Sequence, residues 1–141
     1  MVDRLSIERR SWLMSRIKAR DTTPELRVRR IAHSLGLRFR LHVKNLPGTP
    51  DLVFPRRSAA IFVHGCFWHR HKGCKKATMP KSHEEFWQTK FKLNVERDER
   101  AIRELEISGW RTLIIWQCQT RDPTDLRQIL IEFFDLPRTG R

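Results

Sequence analysis

Hydrophobic and polar positions alternate along this chain in two different periods, and the change from one to the other marks its elements. After residues 1–7, which read as a flexible arm, a short helix is expected from Glu8 to about Lys18. Asp21-Thr22-Thr23-Pro24-Glu25 then reads as a helix start, with Thr23 as the cap, Pro24 in the first helical position and Glu25 against the positive end. Leu26, Val28, Ile31, Ala32 and Leu35 form the apolar stripe of that helix, which ends at Gly36. The period then shortens. Arg38 to Val43 alternates in polarity, Asp51 to Phe54 is short and apolar, and Ser58 to Val63 is a continuous β-rich run after a turn at Pro55-Arg56-Arg57. Leu46-Pro47-Gly48-Thr49-Pro50 is a loop between the first two of these strands, and Gly65 to Pro80 shows no regular period. Ser82 with Glu85 has the spacing of a capping box, opening a long helix to about Ile107 that Gly109 closes. Trp110 to Gln117 has a buried-strand pattern, and Pro123 starts a last helix through Ile129, Leu130 and Phe133. Strands in two groups with helices between them predict a mixed sheet covered by helices, of the α/β or α+β class.

Composition changes this picture in one respect. The 141 residues carry a formal net charge of +13, and the excess is unevenly placed. Residues 1–80 hold 18 basic and 5 acidic side chains, whereas residues 81–141 hold 11 of each. A field confined to one part of the chain attracts a polyanion and gains affinity by releasing condensed counterions, so nucleic acid is the expected partner. The length fits one domain, read as a basic N-terminal arm and short helix over 1–20 and a single unit over 21–141. No apolar run approaches membrane-spanning length, so no membrane partner is expected. The chain shows no export signal, which predicts a cytoplasmic protein.

Three cysteines without an export signal argue against a disulfide framework. Cys66-x4-His71-x2-Cys74 places three metal-binding side chains on the irregular loop, and Cys118 follows the Trp110–Gln117 strand. Together they make a Cys3His set of the kind that closes a tetrahedral structural zinc site and can pin a loop lacking its own core. His69 and His83 are competing ligands, and buried thiols without a metal are the plainer alternative.

Pro50-Asp51 opens an apolar strand after a Pro/Gly loop, and the next strand ends at Val63-His64. Such a strand pair can present a hard oxygen ligand and a second group to Mg²⁺ beside a phosphodiester. The runs Leu46 to Phe54, Ile61 to His69, Asn94-Val95-Glu96-Arg97-Asp98 and Gly109-Trp110-Arg111 closely resemble the very-short-patch-repair (Vsr) mismatch endonuclease family. Met14-Ser15-Arg16-Ile17, Asp21-Thr22 and Pro24-Glu25 resemble its N-terminal motif, so the likeness spans roughly residues 10–120 in the family's order. The resemblance implies a restriction-endonuclease-like fold, a zinc site, and a Mg²⁺-dependent cut of one strand beside a thymine mispaired with guanine. It implies Asp51 as the central ligand of two Mg²⁺ ions, with the Val63 carbonyl as another ligand. It further implies His69 as the water-activating base, His64 as a partner for the phosphate or the metal-bound water, and Glu25 reaching metal-bound water. Cys66, His71, Cys74 and Cys118 match the family's zinc set. Val63 stands where the family often has Thr, and the gap from His71 to Cys74 is one residue longer than in some relatives.

Asp98 has support from spacing alone. Phe91, Val95, Ile102 and Leu105 form the inward stripe of the long helix, and Asn94 and Asp98 fall on or beside it, where polar groups need partners. A site histidine is one such partner; a neighbouring arginine is the other. Phe67, Trp68 and Trp87 lie in or just after the basic loop, where large rings can wedge between base steps, as the resemblance implies; a small core under the loop is the alternative for Trp87. Arg4, Arg9, Arg10, Arg16, Lys18 and Arg20 make a suitable arm for DNA phosphates or a minor groove. A monomer suits an asymmetric lesion such as a T:G mispair in duplex DNA. Two other readings stand beside this one: a non-catalytic zinc-stabilised DNA-binding protein, and a related nuclease with a restriction or mobile-element target.

Overall fold

The computed structural model describes residues 21–75 and 77–137. The expected helix from Glu8 to Lys18 and the basic arm with Arg4, Arg9, Arg10, Arg16, Lys18 and Arg20 lie outside the described residues. Helix α1 covers Thr23–Ser34, followed by strands β1 (Arg40–Leu41), β2 (Leu52–Phe54) and β3 (Ala59–His64). Helix α2 (Glu84–Ile107) leads to β4 (Arg111–Trp116), and helix α3 (Pro123–Phe134) ends the described fold.

The strands form one four-stranded sheet in the order β1-β2-β3-β4. The first two pairings are antiparallel and the β3–β4 pairing is parallel. A parallel neighbour requires a crossover, and the zinc-loop segment and α2 supply it. Side chains of β3 alternate between two cores. Ala59 and Ile61 join Val28, Ala32, Leu52, Phe54, Ile115, Leu126 and Leu130, so α1 and α3 cover one face. Ala60 and Phe62 join Leu105, with Ile102 and Ile114 packed beside them, so α2 covers the other. The result is the helix-flanked mixed sheet that the pattern predicts. Among the described residues, no helix is long and apolar enough to cross a membrane.

Local signals set most boundaries, with three departures. The cap of α1 is Thr22 rather than Thr23; its hydroxyl accepts from the Glu25 N–H at 3.4 Å. The Ser82–Glu85 box does not open α2. His83 is the N-cap, in the left-handed region at φ +58°, and makes no side-chain capping bond. Glu84 and Glu85 in the first turn provide the negative charge that the helix end favours. Strand β1 is only two residues long because it is an exposed edge and His42, at φ +47°, turns the chain out of the extended region.

One glycine places the strand that follows Asp51. A Cβ at Gly48 would lie 2.7 Å from the Ala101 Cβ and 3.0 Å from the Phe62 ring, and φ is +73°. The Leu46–Pro50 loop therefore packs closely on α2 only with glycine there, which fixes where Pro50 delivers Asp51.

Candidate active site and zinc centre

Asp51 sits at the mouth of β2, and its Oδ2 accepts a 2.7 Å hydrogen bond from the Val63 N–H on β3. Burial raises its carboxyl group from 3.8 to about 6; the Val63 N–H opposes the shift, and the nearby Glu25 carboxylate adds to it. Glu25 comes from the first turn of α1 and is 2 % exposed. Its Oε2 accepts from the Asp21 N–H at 3.1 Å, from Arg29 Nη2 at 3.0 Å and from His42 Nε2 at 2.9 Å. The Glu25 carboxyl group is near enough to Asp51 to raise it. Two acids held this close out of water are a poor arrangement alone and a good one around a divalent cation. By that test the oxygen donors fit Mg²⁺.

His64 ends β3 and is buried, and its ring stacks on that of His69 with centroids 3.8 Å apart and planes 9° from parallel. Burial, with the His69 ring beside it, pushes His64 down to about 3, so the imidazole is neutral at ordinary pH. Its Nδ1 is buried without a hydrogen-bond partner among the described residues. His69 Nδ1 lies 2.5 Å from Asp98 Oδ2. The stripe position of Asp98 on α2 therefore meets a histidine rather than an arginine. A carboxylate on Nδ1 favours the tautomer with its proton there and leaves Nε2 with a lone pair. Asp51, Glu25, His42, Val63, His64, His69 and Asp98 line one open cleft of about 950 Å³.

The zinc set is built by strand pairing. His64 pairs with Trp116 at the end of the parallel ladder, so Cys66 and Cys118 each lie two residues beyond it, side by side. His71 Nδ1 is 3.6 Å from Cys66 Sγ and 3.4 Å from Cys118 Sγ, and the donors of all four residues lie within 4.8 Å of one another. Tetrahedral zinc, with bonds of about 2.3 Å to sulfur and about 2.0 Å to nitrogen, separates such atoms by about 3.5 Å. Burial pushes the Cys66 thiol up to about 11, and a dication is the charge that would convert it to a thiolate. The residues fit zinc. Of the competing ligands, His69 is committed to Asp98, and His83 is an exposed helix cap outside the cluster.

Phe67 and Trp68 are half-buried beside this centre. Phe67 packs edge-on to Trp68 and to Phe91, each at 5.2 Å, and Trp68 lies 6.0 Å from Trp87. Trp87 is only 1 % exposed. Of the three rings expected to wedge into DNA, it has no free face to offer here; it packs behind Trp68 and on Phe91 because it lies on the inward side of the first turns of α2. Arg70 ties the loop from above, stacking 4.1 Å over the Phe91 ring and donating to the carbonyls of Phe67, Ala77 and Thr78.

The sequence profile of the DNA mismatch endonuclease Vsr matches residues 2–76. The chain belongs to the Vsr DNA mismatch endonuclease family. It is 45% identical over 112 residues to DNA mismatch endonuclease Vsr of Escherichia coli (strain K12), covering 79% of this chain and 71% of that one. It is 51% identical over 122 residues to the Type II nicking enzyme V.XorIIP of Xanthomonas oryzae pv. oryzae, covering 86% and 89% of the two chains. The Type II nicking enzyme V.NmeAIP of Neisseria meningitidis is 35% identical over 130 residues, covering 92% of each. This Vsr-family chain is a DNA endonuclease, which sets aside the non-catalytic reading.

One residue of the Vsr-family cleft escapes the sequence reading. His42 looks like a polar position in an alternating strand, yet it touches Glu25 and lies 3.9 Å from Asp51 Oδ1. The signal was the hairpin: an antiparallel return through Leu46–Pro50 sets His42 opposite Asp51, and the His42 N–H donates to the Asp51 carbonyl at 3.2 Å.

Proposed function

We propose that this endonuclease nicks one strand of duplex DNA beside a thymine mispaired with guanine, that it depends on Mg²⁺, and that it works as a cytoplasmic monomer. The observation that carries the proposal is the single cleft. It joins two neighbouring acids, one buried and one largely so, a neutral histidine, a carboxylate-oriented histidine and, at its border, a pair of aromatic rings.

Asp51 and the Val63 carbonyl would hold the magnesium, as two ions, with Glu25 reaching their water. Bound there, Mg²⁺ supplies positive charge to the scissile phosphate and to the leaving 3′ oxygen. His69 takes the proton of the attacking water at Nε2 while Asp98 holds Nδ1–H and stabilises the imidazolium that forms. The water oxygen bonds to phosphorus as the bond from phosphorus to the 3′ oxygen breaks. His64, uncharged, hydrogen-bonds a phosphate oxygen or cation-bound water without adding a second cation beside His69. Phe67 and Trp68, backed by Trp87, stack at the mispair, where base pairs separate at lower cost. The arm with Arg4, Arg9, Arg10, Arg16, Lys18 and Arg20 contacts the DNA backbone, and zinc on Cys66, His71, Cys74 and Cys118 holds the loop in place.

The test is nicking of end-labelled T:G and matched T:A duplexes, with and without Mg²⁺. Strand-specific, Mg²⁺-dependent cutting of T:G alone, abolished in Asp51→Ala with zinc retained, is expected. Equal cutting of both duplexes would remove the mismatch assignment. Activity surviving Asp51→Ala would remove the cleft.

A further inference from the structure

His42 is a side chain of the cleft to which the reaction above gives no role, and its placement is specific. It adopts φ +47°, in the left-handed region that is uncommon for residues carrying a β-carbon. Its side chain is 10 % exposed, between two acids that are 3 % and 16 % exposed. The surrounding structure enforces this: α1 brings Glu25 from one side, and the β1–β2 hairpin brings His42 opposite Asp51 from the other.

The hydrogen bonds onto Glu25 suggest what the placement achieves. Asp21 N, Arg29 Nη2 and His42 Nε2 all fall on Oε2. No donor among the described residues has a hydrogen bond to Oε1. Three donors on one oxygen fix the carboxylate plane and leave the other oxygen for Asp51 or a cation. Arg29 lies on the helix that carries Glu25 and Asp21 stands just before its cap, so they orient Glu25 only relative to that helix. His42 directly follows β1 and its N–H donates to the Asp51 carbonyl, so its side-chain bond registers Glu25 against the segment that carries Asp51.

We propose that His42 is a positioning residue of the cation centre: by donating from Nε2 to Glu25 Oε2 beside Asp51, it locks acids from two separate elements into one divalent-cation site. The inference rests on the reading of Asp51 and Glu25 as magnesium-binding acids. The imidazole acts as a donor of fixed reach, not as an acid or base in the cut.

Two substitutions separate this role from a structural one. Asn tolerates positive φ as His does but is too short to reach Glu25, so His42→Asn should keep the backbone turn and lose the contact. Gln can restore an amide donor near the imidazole Nε2 position, and it does not titrate. In the full chain, His42→Asn is expected to raise the Mg²⁺ concentration for half-maximal nicking by about tenfold or more, the scale for loss of an outer-shell partner. Its rate at saturating Mg²⁺ should change little. Mn²⁺ binding to the free protein, followed by loss of the free-ion paramagnetic resonance signal, should weaken in parallel. His42→Gln is expected to recover most of the cation affinity and to keep the parent's pH–rate profile.

An unaltered Mg²⁺ and Mn²⁺ titration in a folded His42→Asn protein would overturn the proposal. So would a His42→Gln protein that binds Mn²⁺ normally but shows a changed pH–rate profile, which would make His42 an acid–base group. Asp51→Ala, run in parallel, distinguishes the failures. If that variant also binds Mn²⁺ normally and nicks, the magnesium centre itself is misplaced; if it is inactive while His42→Asn is unaffected, only the positioning role fails.

Discussion

Replacing Asp51 with asparagine is expected to destroy activity and stabilise the magnesium-free protein. The carboxyl group stands at about 6 in the folded chain against an ordinary 3.8, a difference of about 2 units, or about 3 kcal/mol at 1.36 kcal/mol per unit. The folded form holds its proton more tightly than the unfolded chain does. The contribution of Asp51 to stability is therefore complete below about pH 4 and is lost as pH rises through about 6. Above that, the buried charge opposes folding. Asparagine has nearly the same shape, keeps an oxygen for the Val63 N–H and carries no charge. In magnesium-free buffer near pH 8, Asp51→Asn should be more stable by about 1–3 kcal/mol, allowing for partial relaxation around the charge, and the gap should shrink toward pH 5. Added Mg²⁺ should then stabilise the parent and leave the variant unmoved. Urea unfolding across that pH range, without a chelator that would also remove zinc, measures all three effects. A variant less stable than the parent near pH 8, or a gap independent of pH, would refute the reasoning.

Four further outcomes are expected. Nicking should fall as pH drops through about 6, where Asp51 takes up its proton, and more Mg²⁺ should move that limb to lower pH because cation and proton compete for the same oxygens. Asp98→Ala should lower the single-turnover rate by about 10–100-fold while DNA affinity in magnesium-free buffer changes little, since Asp98 orients the base. Cys118→Ser should reduce zinc content below one per chain by elemental analysis and lower the nicking rate, while far-UV circular dichroism of the sheet and helices changes little. Trp87→Ala should cost about 3–5 kcal/mol in thermal or urea unfolding, as a buried ring does, whereas Trp68→Ala should leave folding nearly intact and weaken T:G duplex binding by about 1–3 kcal/mol in a titration.

What could be read from the sequence followed from rules of spacing. Asp98 was found by helical periodicity, because a polar residue on an apolar stripe must meet a partner, and it meets His69. The zinc set was found by inventory, and the parallel register of β3 and β4 explains it: cysteines two residues beyond a terminal ladder pair are neighbours. The misses concern what covers what. Trp87, for which a small core under the loop was the alternative to a wedge, is 1 % exposed because Trp68 folds over it. The capping box gave way to His83 because the chain enters α2 through a left-handed residue. His42 was hidden by its own strand pattern, since alternation describes an extended chain and φ +47° leaves it.

The segment from His64 to His71 shows why the family chemistry and the zinc centre occur together. Within it, His64 and His69 stack as the site's imidazoles, Cys66 and His71 belong to the zinc set, and Phe67 and Trp68 lie between them. A loop this irregular has little core of its own to fix six functional positions. It is held from three sides: by the contacts within the Cys3His cluster, by Asp98 on His69, and by Arg70 on the carbonyls of Phe67, Ala77 and Thr78. The sheet cores on either side contain hardly any of these residues, so their cohesion does not depend on the loop's order. Removing zinc should therefore loosen the base and the stacking rings together, costing cleavage and mismatch recognition in one step, at conditions where the sheet and its helices remain folded.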